Sequence, residues 1–141
     1  MTERYYFSNV ADSIDRARVL RWLSEESYWP LGRSRSIQDA AMDASRNYGV
    51  YDGDSGEQVA YARVVTDGVT FAWLCDVFVS SPVRGRGLGK LLVAGVVTEL
   101  ESLGLKRVLL STSDAHGLYA QFGFTTLQEP SKMMAKTTPS R

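Results

Sequence analysis

A glycine-rich, basic turn in the middle of the chain has the residue types best suited to chemistry. It covers residues 84–90, reads RGRGLGK, and lies between a strand-like and a helix-like apolar stretch. Glycines let the backbone approach a ligand, and the free N–H groups and the dipole at a helix start favour an anion. The turn therefore predicts a phosphate site, although a tight strand-to-helix turn with solvated basic residues would have the same composition.

Two common phosphate-binding motifs do not fit the spacing of these glycines. A Walker-type loop has four residues between its glycines and a Ser or Thr after its lysine. Here three residues separate Gly85 from Gly89, and Leu91 follows Lys90. A dinucleotide fingerprint that begins at Gly85 needs a glycine where Lys90 stands. Neither of these two motifs therefore accounts for the turn.

Asp76 is the second candidate, because it interrupts the most apolar stretch of the chain, VTFAWLCDVFV at 69–79. Burying a carboxylate is costly unless it is paired or used, so Asp76 is either a general base or the partner of an Arg or a backbone group. The adjacent Cys75 could be a covalent nucleophile, but a lone cysteine in an apolar strand is more often inert. His116, the only histidine, fits a surface or capping residue better than a proton relay.

The elements that must position these residues alternate between strands and helices. Strands are predicted at 4–8, 48–51, 58–65, 69–79, 108–110 and 124–127, with part of one more at 133–134. Helices are predicted from a cap at Asp12 to Glu26, from Ser36 to Arg46, from the glycine-rich turn to Gly104, and over 115–122. Because strands first form hairpins and later alternate with helices, the predicted fold class is mixed α/β, with stretch 69–79 inside the sheet.

Length and composition exclude several classes of function. The 141 residues make about one domain, expected at 1–141 with a frayed tail at 136–141. Sixteen Lys and Arg balance sixteen Asp and Glu, so nucleic acids and anionic membranes are not expected partners. The single cysteine forms no internal disulfide or cysteine-rich zinc site, no metal site is predicted, and a cytoplasmic location is expected. No signal or stretch of about 18 apolar residues predicts secretion or a membrane span.

Two motifs of this sequence resemble those of the GNAT superfamily of acyl-CoA N-acyltransferases. The first is Arg84-x-x-Gly87-x-Gly89, which follows the strand that ends at Val79. The second is Ala115-x-x-x-Tyr119-x-x-x-Gly123-Phe124. The resemblance covers roughly residues 48–127. It implies a central, mostly antiparallel sheet that is flanked by helices and splayed at the strand that binds acyl-CoA.

The resemblance also implies acetyl-CoA as the co-substrate and gives roles to individual residues. The turn would bind the pyrophosphate through backbone N–H groups, and the pantetheine arm would pair with the splayed strand, where a bulge would leave backbone groups free. Tyr119 would be the general acid beside the thioester sulfur, unless it only packs in the core, and a backbone N–H near Val77 would hold the oxyanion. The implied cofactor-binding residues are Val77, Phe78, Val79, Arg84, Gly85, Arg86, Gly87, Leu88, Gly89, Lys90 and Tyr119.

The acceptor is expected beside the connection between the first two helices, which in this superfamily often walls the acceptor pocket. Tyr28 and Trp29 would suit an apolar or aromatic body, and Arg33 would suit a carboxylate. These three residues would equally serve to seal the core or a dimer contact, and a homodimer is left open.

The predicted function is N-acetyl transfer from acetyl-CoA to a primary amine of a small molecule, by direct attack in a ternary complex. The site must remove a proton, because an alkyl amine of pKa about 10.4 is almost entirely protonated at neutral pH. The alternatives are a sensor that binds CoA or acyl-CoA without turnover, and an interaction protein that binds no CoA.

Overall fold

The computed structural model describes residues 4–27 and 32–139, and within them it has one five-stranded sheet. The strands lie side by side in chain order, the first four antiparallel and the last pair parallel. This confirms the mixed α/β class predicted from the order of the elements and the mostly antiparallel sheet implied by the resemblance. The strands are β1 Tyr5–Ser8, β2 Arg46–Asp52, β3 Gln58–Thr66, β4 Phe71–Val79 and β5 Arg107–Leu110.

The helices begin at different residues from those predicted at the N-terminal end of the chain. Asp15, not Asp12, caps the first helix by accepting a hydrogen bond from the N–H of Arg18, and Asp12 lies in a preceding 3₁₀ turn. Ser34, not Ser36, caps the second by accepting from the N–H of Ile37. The helices are α1 Arg16–Arg21, which continues as a π-helical turn over Trp22–Glu26, α2 Arg35–Asp43, α3 Leu88–Glu101 and α4 His116–Ala120.

The two faces of the sheet are covered by two separate apolar clusters. On one face the long helix α3 buries Leu92 and Val96 against β2, β3 and β4. On the other face, Trp22 and Leu23 of the π-helical turn pack with Tyr61 of β3 and Phe78 of β4. Because β4 contributes to both clusters, it is covered on both sides, as its mostly apolar sequence predicts.

The N-terminal strand is locked onto α3 by a glycine inside that helix. A Cβ atom at Gly95 would lie 2.3 Å from the ring of Phe7, far inside contact distance. The Phe7 ring also stacks on Tyr48 of β2, with the ring centroids 5.7 Å apart. Gly95 therefore allows an aromatic ring of β1 to reach the backbone of α3.

A β-bulge divides β4 into two halves. Tyr61 of β3 faces Phe78 and Arg63 faces Cys75, so that two residues, Asp76 and Val77, stand opposite Ala62 alone. The extra residue reverses the alternation of side chains. Before the bulge the α3 side of the sheet receives Ala72 and Leu74, and after it Val77 and Val79.

Two predicted strands are wrong. Neither 124–127 nor 133–134 forms a strand, and the described chain has no strand after β5. Phe124 and Leu127 are only partly buried, and every side chain from Gln128 to Pro139 is exposed. Strand propensity forms a strand only where another strand lies alongside, and none of the described strands pairs with these residues. Pro130 starts a 3₁₀ turn instead. Among the described helices, none is long and apolar enough to cross a bilayer.

Candidate active site

The second half of β4 has a free edge that faces a cleft. β5 pairs only with Phe71–Leu74, so no described strand lies beside Cys75–Val79 on that side. A cleft of about 740 Å³ opens there, between β4 and the segment that runs from Leu110 into α4. The unpaired N–H and C=O groups of this half-strand need hydrogen-bond partners, which an extended ligand can supply. The bulge and the divergence expected at this strand are both present.

The glycine-rich turn lies at the end of this free edge. Gly85 and Gly87 have φ angles of +85° and +78°, and α3 begins directly afterwards at Leu88 without a side-chain cap. A Cβ atom at either glycine would touch nothing within 4 Å, so the space above the turn is open. The first N–H groups of α3 have no partner within the helix. The turn therefore fits an anion such as a pyrophosphate.

The arginines of the turn are held by neighbouring elements. Arg84 donates from Nε to the carbonyl oxygen of Val79 at 2.9 Å, and its guanidinium lies over the ring of Phe78. Arg86 donates to the hydroxyl of Tyr5 at 2.7 Å, while Lys90 is exposed. These contacts fix the turn against the sheet and place positive charge beside the helix start.

Tyr119 lies in the wall of the cleft that faces β4. The side chain comes from α4, is only 7% exposed, and meets the ring of Phe124 edge to face at 5.9 Å between centroids. The cleft is lined by Tyr119 together with Val77, Phe78, Val79, Arg84 and Gly89. The structure therefore brings the predicted tyrosine, the predicted strand and part of the predicted turn to one cavity.

Asp76 lies in the bulge, where its carboxylate binds two guanidinium groups. Oδ2 accepts hydrogen bonds from Arg33 Nη1 at 2.6 Å and from Arg63 Nε at 2.9 Å, and Arg33 Nη2 lies 3.4 Å from Oδ1. The side chains of Asp76, Arg63 and Arg33 are 5%, 12% and 23% exposed. Of the two roles that the sequence left open for Asp76, pairing with arginine is the one observed.

Arg63 is the residue of this cluster that the sequence analysis missed. It also donates to the hydroxyl of Ser45 at 3.0 Å. Burial disfavours the charge of Arg63, but the hydrogen bond and the charge of Asp76 outweigh this and raise its pKa. The available signal was a basic residue in the middle of the otherwise apolar β3, matching the acidic residue in the middle of β4.

The other sequence candidates have different surroundings. Tyr28 and Trp29 lie outside the described residues. Arg33 is described, and its contact with Asp76 places its guanidinium beside the centre of β4. Cys75 lines the cleft, and burial raises the pKa of its thiol to about 11. His116 is exposed at the start of α4. In the part of the chain that the structure describes, no three His, Cys, Asp or Glu side chains are grouped to hold a metal ion.

Comparison with known proteins finds the same fold in one family of enzymes. A family model described as the Acetyltransferase (GNAT) family matches residues 16–124. A protein from Xanthomonas campestris pv. campestris that is assigned to the GNAT acetyltransferases is 38% identical, and its crystal structure gives a TM-score of 0.87 over 96% of this chain and 94% of that chain. Rv2747 from Mycobacterium tuberculosis, solved in complex with CoA, is 17% identical and has the same fold, with a TM-score of 0.71 over 86% of this chain and 72% of that chain.

A curated relative covers a smaller part of the chain. It is a protein from Gibberella zeae that is described as an acetyltransferase, and it is 35% identical over 72 residues. This match includes 50% of the chain and 41% of the relative, so the chain spans about two fifths of that relative's length.

Proposed function

Because the chain belongs to the GNAT acetyltransferase family, we propose that it transfers the acetyl group of acetyl-CoA to a primary amine of a small molecule. One observation carries the proposal: the free edge of β4 faces Tyr119 across a cleft and ends at an open, glycine-rich helix start. A strand edge, a proton donor and an anion site in this order match the parts of a long thioester that carries a pyrophosphate.

Apart from Tyr119, the cofactor residues proposed from the sequence divide into two sets. The backbone of Val77, Phe78 and Val79 would bind the pantetheine arm, because its amides can pair with a free strand edge. The backbone N–H groups of the turn would bind the pyrophosphate at the start of α3. The second set consists of Arg84, Gly85, Arg86, Gly87, Leu88, Gly89 and Lys90.

Tyr119 is the proposed general acid. Acetyl-CoA supplies the acetyl group together with a thiolate leaving group. A phenol of pKa about 10 is a weaker acid than a thiol of pKa about 8.5, so Tyr119 acts mainly by hydrogen bonding to sulfur as negative charge develops and by donating its proton late. A backbone N–H at the bulge, near Val77, would hold the oxygen that becomes negative.

The amine must lose a proton before or during the attack, and the sequence predicts Asp76 as its acceptor. Asp76 lines the cleft, but both of its carboxylate oxygens accept hydrogen bonds from guanidinium groups, so its observed role is to pair with arginine. We therefore assign proton removal to water in the open cleft. Asp76 has a different part in the site.

The acceptor would enter from the side of Arg33, opposite the glycine-rich turn. The cleft reaches Glu26 and Ser27 at the end of the π-helical turn, directly before Tyr28 and Trp29. Among the described residues, Arg33 makes three donor contacts, with Asp76 and Gln38, and we propose that the other N–H groups of its guanidinium bind a carboxylate of the acceptor. The proposed acceptor is thus an amine that also carries a carboxylate and an apolar body.

The test is a panel of amino acids, other small amines and peptides, with acetyl-CoA and detection of free thiol. Release of thiol with an amine, together with an N-acetylated product by mass spectrometry, is the expected result. Thermal stabilisation by CoA without release on any amine would instead favour a sensor. Failure of CoA to stabilise the protein would remove the cofactor assignment as well.

A further inference from the structure

The backbone of Asp76 is in a conformation that its side chain makes costly. Among residues 4–27 and 32–139, Asp76 is the one residue other than glycine that has a positive φ, at +53°. A side chain disfavours this left-handed region, and Asp and Asn tolerate it better than most residues. Such conformations persist where the surroundings hold them, and they cluster at functional sites. The contacts of Asp76 must therefore stabilise this backbone.

The contacts that hold Asp76 come from two distant parts of the chain. Arg63 reaches it from β3, and Arg33 reaches it from the segment before α2. The guanidinium of Arg63 is fixed in turn by Ser45, and that of Arg33 by Gln38 of α2. The carboxylate is thus clamped from two sides by partners that are themselves anchored.

The peptide that follows Asp76 carries the N–H of Val77. This N–H lies at the bulge, where the oxygen that becomes negative is proposed to bind. The direction of a peptide N–H is set by the ψ angle of the residue before it and the φ angle of its own residue. Whatever fixes the backbone of Asp76 therefore helps to aim the N–H of Val77.

We propose that Asp76, Arg63 and Arg33 form a brace, in which Asp76 is a positioning residue that holds the left-handed bulge of β4 and ties it to the acceptor side of the cleft. This inference rests on the proposed acetyl transfer, since it assigns the bulge a part in that reaction. In this brace one buried carboxylate, that of Asp76, positions both the N–H of Val77, which is the proposed oxyanion donor, and Arg33.

The decisive experiment compares Asp76→Gly with Asp76→Ala. Both variants remove the carboxylate and leave the same two arginines unpaired, but only glycine adopts a positive φ freely. The brace predicts that kcat of Asp76→Gly exceeds that of Asp76→Ala by about tenfold, with similar KM for acetyl-CoA. Alanine disfavours the positive φ and has no carboxylate to stabilise it, whereas glycine adopts this φ without that cost. If Asp76 were instead the proton acceptor, both variants would be equally inactive.

Asp76→Asn is the second variant, because asparagine has the same shape and tolerates the left-handed backbone. The brace predicts a kcat within about tenfold of the wild type, because an amide oxygen still accepts from one guanidinium. A loss of about a hundredfold or more would mark Asp76 as the proton acceptor and overturn the proposal.

A stability measurement separates failure of the brace from failure of the proposed function. If the wild type acetylates no amine, the proposed function fails, and the unfolding free energies still decide whether the bulge is held as described. Asp76→Gly should then be more stable than Asp76→Ala, although glycine normally destabilises a strand. The reverse order, or equal kcat for the two variants of an active enzyme, would overturn the brace.

Discussion

The two ends of the cleft are built in different ways. At the proposed cofactor end the surface is backbone, namely the free edge of β4 and the start of α3, which has no side-chain cap. At the acceptor end it is a cluster of charged side chains around Asp76. A backbone surface binds any molecule with the right amide and phosphate spacing, whereas a side-chain cluster changes with single substitutions. The proposed cofactor site is thus a backbone surface, and the proposed acceptor site is a side-chain cluster that single substitutions would change.

The largest expected effect concerns the thiol at the acceptor end. Cys75 precedes Asp76, and burial raises the pKa of its thiol to about 11. Only the thiolate reacts, so at pH 8 native Cys75 should be alkylated by iodoacetamide about a hundredfold more slowly than in the unfolded chain. Raising the pH toward 11 should speed the native reaction. Equal rates for the folded and unfolded chains would mean that the acceptor end is open to water and not closed by its side chains.

The second prediction tests the boundary between the two ends, where Tyr119 lies. Tyr119→Phe should lower kcat at least about tenfold while the affinity for CoA stays within about twofold, because the hydroxyl acts on the leaving sulfur and not on binding. Tyr51→Phe is the control, since its hydroxyl bonds Ser13 outside the cleft. Unchanged turnover of Tyr119→Phe in steady-state assays would remove this tyrosine from the mechanism.

The smallest expected effect is at the cofactor end. Gly87→Ala should lower the affinity for CoA several-fold, because alanine at a φ of +78° shifts the backbone that leads into α3. Gly104→Ala is a matched control. Gly104 also has a positive φ and open space around it, but it follows the C-terminal end of α3, at the opposite end of that helix from the turn. Both variants should lose about 1–2 kcal/mol of stability. If calorimetry gave both the wild-type affinity for CoA, the backbone of the turn would not form the cofactor site.

The same contrast explains how much could be predicted from the sequence. The cofactor end is encoded locally, by a run of glycines between an apolar strand and an apolar helix, so its position follows from residue types in order. The five observed strands are likewise predicted from local apolar patterns. The strands expected at 124–127 and 133–134 are wrong because propensity alone does not supply a neighbouring strand.

The acceptor end depends on contacts between residues far apart in the chain. Arg63 and Asp76 are 13 residues apart, and Arg33 and Asp76 are 43 apart. Their meeting depends on the bulge, because a shift of one residue exchanges the two faces of a strand. A regular alternation read from the sequence does not contain that shift. The charge of Asp76 was visible, but its partners were not.

Gly95 joins the N-terminal strand to the cofactor end. The ring of Phe7 rests against the helix at a position where any side chain would collide with it. The first turn of α3 is the proposed pyrophosphate site, and it lies two helical turns from the contact between Phe7 and Gly95. A methyl group added at position 95 would displace α3 from β1. Because the helix moves as one unit, its first turn, where the pyrophosphate is proposed to bind, would move as well. Gly95 thus helps to set the position of the start of α3, and with it the proposed pyrophosphate site, relative to the sheet.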